Sequence, residues 1–256
     1  MTKSKISTVQ RVIVDPAQIE VDQLVLTDTQ RHYLRRVLRL KAGDRFRALD
    51  GQGHMWEATL REDSEPAWLQ AIAPIASSSP LNQPKITLAA CLPKQGFDEV
   101  VRQVTELGVD KIVPILSDRT LPKPSINKLE RWRRIAAEAG EQSERLIVPT
   151  IQEPLAWASW LARQSQDYRL ICVARQSAPT LLSLCCSSQF AAVEVAIGPE
   201  GGWTESEFEH AIAHGYQPVT LGSTILRAVT APVVALALLQ AGIEFATINP
   251  FTDSPL

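Results

Sequence analysis

From residue 86 onward, short apolar runs alternate with amphipathic helical segments. Residues 86–91 form a candidate buried strand, and the apolar positions that follow it mark one face of a helix that ends at Gly108. A second helix is expected around residues 128–141. The other candidate strands are residues 111–116, 170–174, 193–197 and 218–221. Repeated βα units require a mostly parallel sheet covered by helices, so this region is predicted to be an α/β domain.

The chain before this region has a different pattern. Residues 11–14, 45–49 and 55–60 are strand-like, and the Asp-Gly-Gln-Gly run at 50–53 predicts a hairpin turn between the last two. Residues 76–84 are rich in Ser, Pro and Asn and lack periodicity, as is typical of a linker. The 256 residues are therefore expected to form a small β-rich domain over 1–79 and an α/β domain over 80–256.

The net charge of −2 argues against a protein that coats nucleic acid without specificity, because such binding needs a large positive surplus. Lys3 and Lys5 are not followed by a long apolar run, so neither a signal peptide nor a membrane span is expected, and the cytoplasm is the default location. The four cysteines lack the spacing of a zinc site, and we expect them to be small buried residues in a reducing compartment. His210 and His214 stand four apart on a predicted helix without an acidic third ligand, so no metal is predicted.

The segment with the most chemical information is residues 193–205, where a buried strand runs into a turn that contains Gly198, Gly201 and Gly202. Thr204 and Glu207 form a capping box for the helix that follows. The turn therefore lies at the carboxyl end of a strand, where open α/β sheets bind ligands. The motif is neither a phosphate P-loop nor a dinucleotide fingerprint, and a tight turn without a ligand stays an alternative.

A second strand-to-helix junction follows at residues 219–227, ahead of an apolar helix predicted at 229–241. Two glycine-bearing loops at strand ends of one sheet would together form a cleft. Arg227 stands at the mouth of that helix, where a guanidinium donates to a carboxylate or to an oxygen that gains negative charge. A surface cap or an ion pair is the alternative role for this arginine.

The first domain contains a strongly basic segment. Residues 31–47 hold seven Lys or Arg against one Asp. On a short helix Leu34, Val37 and Leu38 would face inward, which leaves a basic outer face suited to RNA backbone phosphates. A solvated charged face is the alternative. The candidate RNA-binding residues are Arg31, Arg35, Arg36, Arg39 and Arg45.

Five collinear segments together resemble one known family, the ribosomal small-subunit uracil-N3 methyltransferases of the SPOUT superfamily. They cover nearly the whole chain, whereas each of them alone would be a weak signal. The matching segments are residues 36–40 with 43–44, 105–109 with 112–114, 138–143, 197–202, and 221–222 with 225–227.

The resemblance implies a PUA-like first domain that grips RNA and a second domain with a carboxyl-terminal trefoil knot that binds S-adenosylmethionine and dimerises. It implies methylation of uridine N3 in 16S ribosomal RNA of the small subunit, with Arg227 at the active site. The cofactor-binding residues that it implies are Ile197, Gly198, Pro199, Glu200, Gly201, Gly202, Leu221, Gly222, Ser223, Ile225 and Leu226.

The chain departs from the family pattern after Arg227. The family usually has Thr-Glu-Thr-Ala there, whereas this sequence has Ala-Val-Thr-Ala, so Val229 replaces a carboxylate. Thr224 also stands where the family commonly has a basic residue. Two alternatives therefore stay open: a non-catalytic RNA-binding or ribosome-assembly protein on the same fold, and a methyltransferase that modifies a ribose 2′-hydroxyl or a guanine.

Overall fold

A computed structural model describes residues 10–62, 65–71, 84–120, 124–163, 168–187 and 190–248. The chain divides into two compact units. The first runs from Met1 to Leu81 and also contains Gly140–Val148, and the second consists of Asn82–Ala139 and Pro149–Leu256. The predicted linker lies outside the described residues except for Pro84, so the predicted boundary after residue 79 stays a prediction.

The described residues of the first unit form a six-stranded sheet in the order β1-β4-β5-β6-β3-β2. β1 and β4 are parallel, and the other pairs are antiparallel. The predicted hairpin joins β4 to β5, and Asp50 Oδ1 accepts the backbone N–H groups of Gln52 and His54 within its turn. Phe46, Leu24 and Leu34 are fully buried in the core of this unit. The strands are β1 (Arg11–Ile13), β2 (Ile19–Glu20), β3 (Gln23–Leu24), β4 (Arg45–Leu49), β5 (Met55–Thr59) and β6 (Ala67–Ala71).

The basic segment begins with helix α1 (Asp28–His32). A capping box between Thr27 and Gln30 forms the start of this helix. The chain then continues as a π-helical turn over Tyr33–Val37. The sequence-based expectation that Val37 faces inward is wrong, because 58% of this residue is exposed. A π turn holds more residues than an α turn, so positions spaced for an α-helix no longer share one face.

A segment distant in sequence, Gly140–Val148, completes the first unit. The Arg11 guanidinium donates to the Glu144 carboxylate at 2.7 Å and to the Glu144 carbonyl at 3.0 Å. The backbone N–H of Val148 donates to the carbonyl of Gly51 at 2.8 Å. These contacts join residues more than ninety positions apart, and no local sequence pattern predicts them.

The second unit contains a parallel sheet in the order β10-β8-β7-β12-β11-β13, and β9 also pairs with β8. Every pairing among its described strands is parallel, which confirms the predicted α/β class. The strands are β7 (Lys85–Cys91), β8 (Lys111–Leu116), β9 (Thr150–Ile151), β10 (Leu155–Ala156), β11 (Tyr168–Cys172), β12 (Ala192–Ile197) and β13 (Gln217–Val219). The helices are α2 (Phe97–Glu106), α3 (Ile126–Gln142), α4 (Trp157–Leu161), α5 (Leu181–Ser187), α6 (Glu205–Ala213) and α7 (Ala231–Ile248), and the end of α3 from Gly140 onward belongs to the first unit.

Helices cover both faces of this sheet. Residues of α4 and α6 pack with Ala196 of β12 on one face, whereas α7 contacts α2, α5 and β12. A Cβ on Gly242 of α7 would clash with the Cβ of Cys185 in α5. The absence of a side chain at Gly242 therefore allows these two helices to approach closely. α7 begins two residues later than the sequence predicts and extends to Ile248. Among the described residues, no helix combines the length and the apolar character that a membrane span needs.

The centre of β12 carries a fully buried carboxylate, Glu194. Trp160 Nε1 donates to it at 2.7 Å, and the Tyr216 hydroxyl and the Arg163 guanidinium donate to it as well. Burial, reinforced by the Glu194 charge and hydrogen bond, raises the pKa of Tyr216 well above its usual range. A buried charge is tolerated only when it is paired and hydrogen-bonded, and these three donors supply that pairing.

We expect Glu194→Ala to lower the free energy of unfolding of the second unit by about 3–5 kcal/mol, because the Arg163 charge and two other donors lose their acceptor. Urea unfolding followed by tryptophan fluorescence measures the change. Glu130→Ala, at an exposed position of α3, is the control and should change stability by less than about 0.5 kcal/mol. Equal stability of the two variants would show that the Glu194 network does not hold this sheet together.

Candidate functional site

The second unit has a cavity of about 1230 Å³ at one edge of its sheet. The loops that follow β7, β8, β11, β12 and β13 all contribute residues to its walls. Parallel strands point the same way, so their carboxyl ends meet at this edge. The volume exceeds that of an ordinary small-molecule pocket and leaves space for a cofactor together with part of a second substrate.

The two predicted glycine turns converge in this cavity. Residues 197–202 line one part of it, and Leu221, Gly222, Ile225 and Leu226 line another. Arg227 is also part of the wall. Of the cofactor-binding residues that the resemblance implies, Ser223 is the one that does not line the cavity.

The first turn follows the buried end of β12 and closes through a hydrogen bond from the Gly202 N–H to the Pro199 carbonyl, at 2.8 Å. Gly202 has a φ of +71°, which favours glycine. A Cβ on Gly198 would stand only 3.0–3.2 Å from three atoms of the Trp203 indole. The turn therefore requires glycine at these two positions for different reasons, one conformational and one steric.

Trp203 ties the turn to neighbouring elements. Its ring stacks on Trp157 with the centroids 4.6 Å apart, and its Nε1 donates to the Cys172 carbonyl at the end of β11, at 3.3 Å. Burial raises the pKa of the Cys172 thiol to about 12, so this cavity-lining cysteine stays protonated at neutral pH. Cys172 is therefore unsuited to be a nucleophile.

The Glu207 carboxylate fixes the other end of the turn. Its Oε2 accepts the Thr204 N–H at 2.9 Å and the Thr204 hydroxyl at 3.1 Å, which completes the predicted capping box. Its Oε1 accepts the N–H of Asp118, in the loop after β8, at 2.9 Å. Glu207 is only 6% exposed, and this single carboxylate joins the start of α6, the glycine turn and the β8 loop.

Two further contacts hold the tip of the turn, and sequence reasoning missed both. The backbone N–H of Lys94 donates to Glu200 Oε1 at 2.9 Å, and Arg119 Nη1 donates to the Gly201 carbonyl at 2.5 Å. Lys94 and Arg119 line the cavity, as do Gln95 and residues 172–176 after β11. The rule that ligands bind at carboxyl ends of parallel strands points to each of these loops once the strands are assigned.

The second turn leads into α7. Gly222 has a φ of +132°, and the carbonyl of Arg227 accepts the N–H groups of Thr230 and Ala231 at 2.9 Å. The Arg227 side chain is exposed in the cavity wall, and no ion pair with a described carboxylate is recorded for it. Val229 lies against Gly96, with its Cγ1 3.0 Å from where a Cβ on that glycine would stand. Position 229 therefore contributes an apolar contact to this wall.

The basic segment of the first unit surrounds a separate cavity of about 560 Å³. Arg31, Arg35 and Arg36 line it with His32 and Lys41, and one carboxylate, Glu62, is also present. The Arg35 guanidinium donates to the Arg61 carbonyl, which orients it. Two other predicted RNA-binding residues lie outside this cavity: Arg39, and Arg45, which pairs with Glu57 at 2.8 Å.

The described residues contain no group of three or more His, Cys, Asp or Glu side chains arranged to hold a metal ion. The four cysteines are all free. His214 caps the carboxyl end of α6, and its ring Nδ1 forms a hydrogen bond with the carbonyl oxygen of His210.

Comparisons with known proteins place the chain among RNA-modifying enzymes. A family model described as an RNA methyltransferase domain matches residues 79–240, and one described as an RNA methyltransferase PUA domain matches residues 26–69. The chain is 46% identical to ribosomal RNA small subunit methyltransferase E of a Synechocystis species, over 91% of this chain and 78% of that protein. It is 30% identical to the enzyme of that name from Buchnera aphidicola, over 84% of this chain and 86% of that protein.

A solved structure shares the fold over most of its length. It is the ribosomal RNA small subunit methyltransferase E of Neisseria gonorrhoeae bound to S-adenosyl methionine. The TM-score is 0.77 at 32% identity, and the match covers 91% of this chain and 97% of that one.

Gly202→Ala and Gly215→Ala form a matched pair for testing the cavity. Both glycines have positive φ, +71° and +83°, and a Cβ on either would meet nothing within 4 Å, so the backbone strain is similar. Gly202 lines the cavity, whereas Gly215 follows the carboxyl end of α6 and is not part of the cavity wall. We expect only Gly202→Ala to weaken binding of S-adenosylmethionine, by about tenfold or more, in calorimetric titration. Equal affinities of the two variants would remove this turn from the binding site.

Proposed function

This chain belongs to the RNA methyltransferase family that includes the ribosomal RNA small subunit methyltransferases E, and we propose that it methylates ring nitrogen N3 of a uridine in 16S ribosomal RNA. The resemblance read from five sequence segments is thereby confirmed at the level of the family. The protein is an S-adenosylmethionine-dependent methyltransferase of ribosomal RNA with an amino-terminal PUA domain. The observation that carries the finer proposal is the convergence of both glycine turns and Arg227 on one cavity.

The residues of the cavity fit S-adenosylmethionine. The positions where a Cβ would stand on Gly202 and Gly222 are empty within 4 Å, so a ligand has room to approach the backbone of both turns. Apolar side chains of Ile197, Leu221 and Leu226 line the same space and suit a flat adenine ring. In our proposal residues 197–202, Leu221, Gly222, Ile225 and Leu226 bind the cofactor, and Ser223, which does not line the cavity, is left out of this set.

The proposed chemistry needs positioning and charge stabilisation. S-adenosylmethionine, when bound, supplies an electrophilic methyl group on a sulfonium. Uridine N3 must lose its proton, and the negative charge that develops spreads onto the two flanking carbonyl oxygens. The Arg227 guanidinium, which has no recorded carboxylate partner among the described residues, would donate to one of these oxygens. N3 lies on the pairing edge of the base, so the uridine must be unpaired or flipped out of its stack.

Val229 limits which groups take part. The family pattern has a carboxylate at this position, whereas here an apolar side chain packs against Gly96. A base at position 229 is therefore absent from the proposed reaction. Arg227 would act instead by stabilising the anion, and the N3 proton would pass to water in the open cavity. Methyl transfer would then form the bond between N3 and the methyl carbon, break the bond between that carbon and sulfur, and release S-adenosylhomocysteine.

The same family membership supports the remaining parts of the proposal. Residues 1–79 would form the RNA-binding domain and residues 80–256 the methyltransferase domain, with its carboxyl-terminal part tied in a trefoil knot. The protein would act as a cytoplasmic homodimer on the small ribosomal subunit. The basic cavity of the first unit would hold RNA backbone phosphates, through Arg31, Arg35 and Arg36.

The function is tested by nucleoside mass spectrometry on small-subunit ribosomal RNA from a strain that lacks the gene. We expect 3-methyluridine to disappear and to return when the gene is restored. Unchanged 3-methyluridine together with loss of a 2′-O-methylated nucleoside or a methylguanosine would contradict the N3 assignment.

We expect Arg227→Ala to lower the rate of methyl transfer about 10²–10³-fold, since it removes a donor to the developing anion. The dissociation constant for S-adenosylmethionine, measured by calorimetry, should stay within about twofold, and Arg227→Lys should recover part of the rate. If Arg227→Ala lost cofactor binding and methyl transfer to the same extent, the role of Arg227 would be cofactor binding and not stabilisation of the anion.

Reversing Arg35 and Arg36 to Glu together should weaken RNA binding and reduce the slope of log affinity against log salt by about two, one for each phosphate contact. Filter binding at several salt concentrations gives the slope. Lys128→Glu with Arg134→Glu, on the exposed surface of α3, is the control with an equal change in charge. If both pairs change the slope equally, the effect belongs to net charge and the basic cavity is not a phosphate site.

A further inference from the structure

Four cationic side chains line the cavity of the second unit, and the proposed chemistry uses one of them, Arg227. The others are Lys94, Arg119 and Arg175, and the cavity wall also carries the carboxylates of Glu200, Glu205 and Glu209. No ion pair between any of these cations and a described carboxylate is recorded. Without an ion pair these side chains keep donors for a ligand, and the contacts of Lys94 and Arg119 with the glycine turn distinguish them from Arg175.

Two of these cations lie at the same end of the glycine turn. The backbone of Lys94 bonds the side chain of Glu200, and the guanidinium of Arg119 bonds the carbonyl of the next residue, Gly201. The Cδ of Arg119 lies 3.0 Å from where a Cβ on Gly201 would stand, so this side chain rests directly on the turn. Lys94 and Arg119 are therefore neighbours of the site that would hold the methyl donor.

The loop that carries Arg119 is held by hydrogen bonds of its own, independently of any ligand. Within the loop after β8, the Thr120 hydroxyl accepts the Ser117 N–H at 2.9 Å and donates to the Ser117 carbonyl at 2.8 Å. The adjacent N–H of Asp118 is bonded to the buried Glu207. A guanidinium on so constrained a loop loses little freedom when it binds an anion, and such preorganisation increases affinity.

The cofactor supplies one carboxylate and no phosphate to this group of cations. S-adenosylmethionine combines a sulfonium, an ammonium and one carboxylate, so its net charge at neutral pH is positive. Arg119 has five N–H donors, and its recorded bond to Gly201 uses one of its terminal nitrogens. RNA brings one phosphate for each nucleotide, and a fork of guanidinium donors matches phosphate oxygens in pairs.

We propose that Lys94 and Arg119 form a phosphate subsite that grips the RNA backbone beside the target base, which rests on the proposed function of this same cavity. Phosphate contacts fix the register and orientation of a nucleic acid without reading its sequence. A subsite against Glu200 and Gly201 would hold the flipped nucleotide next to the methyl donor, while the basic cavity of the first unit holds RNA elsewhere.

The test compares Lys94→Ala and Arg119→Ala with Lys85→Ala. Lys85 and Lys94 stand at opposite ends of β7, so Lys85→Ala removes the same charge away from the cavity. The probe is small-subunit ribosomal RNA from a strain that lacks the gene, both free and within the subunit. Each cavity variant should bind this probe at least about tenfold more weakly, with a salt slope about one lower. Lys85→Ala should match the wild type, and Arg119→Lys should retain the slope because it keeps the charge.

Titration with S-adenosylmethionine separates this subsite from other roles. We expect Lys94→Ala and Lys85→Ala to bind the cofactor within about twofold of the wild type. Arg119→Ala also loses the hydrogen bond to the Gly201 carbonyl, so it is expected to bind the cofactor more weakly, and Lys94→Ala is the variant that separates the two roles. Loss of cofactor affinity in Lys94→Ala and Arg119→Ala, with RNA slopes unchanged, would overturn the proposal and assign these cations to the cofactor carboxylate. The proposal would also be overturned if Lys94→Ala and Arg119→Ala kept the wild-type salt slope of RNA binding while the wild-type protein methylates RNA. A wild-type protein that methylates no RNA would instead contradict the proposed function itself.

Discussion

The direction of the strands in the second sheet determines where this protein can act. Every described strand there runs parallel to its neighbours, so the loops after β7, β8, β11, β12 and β13 emerge at one edge. Residues that are far apart in the chain, such as Lys94 and Arg227, therefore line one cavity. Helices cover both faces of this sheet, and open α/β sheets bind ligands at the carboxyl ends of their strands.

The glycine turn after β12 combines room for a ligand with a fixed shape. Its glycines leave space for a ligand and allow positive φ angles, but their conformational freedom alone would leave the turn flexible. Contacts from outside the turn compensate: Glu207 holds Thr204, Arg119 holds the Gly201 carbonyl, and the Lys94 backbone holds Glu200. A cofactor that binds here would meet a turn that is already ordered, so less of the binding energy is spent on ordering it.

Local sequence patterns predicted the features that depend on local physics. The periodicity of apolar residues gave the βα units, and the spacing of Thr204 and Glu207 gave the helix start that is observed. The inward position of Val37 was wrong because a π turn changes the periodicity. Contacts between distant segments, such as Arg11 with Glu144 or Arg119 with Gly201, depend on the tertiary fold. The local pattern of a single sequence carries no signal for them.

We propose that the two glycine turns, residues 197–202 and 221–227, hold one molecule of S-adenosylmethionine between them. Hydrogen exchange of the full-length protein, with and without the cofactor, tests it most directly because it reports on each turn separately. We expect backbone amides of both turns to become protected together, over the same range of cofactor concentration. Protection of one turn alone, or of neither while the cofactor binds elsewhere, would contradict it.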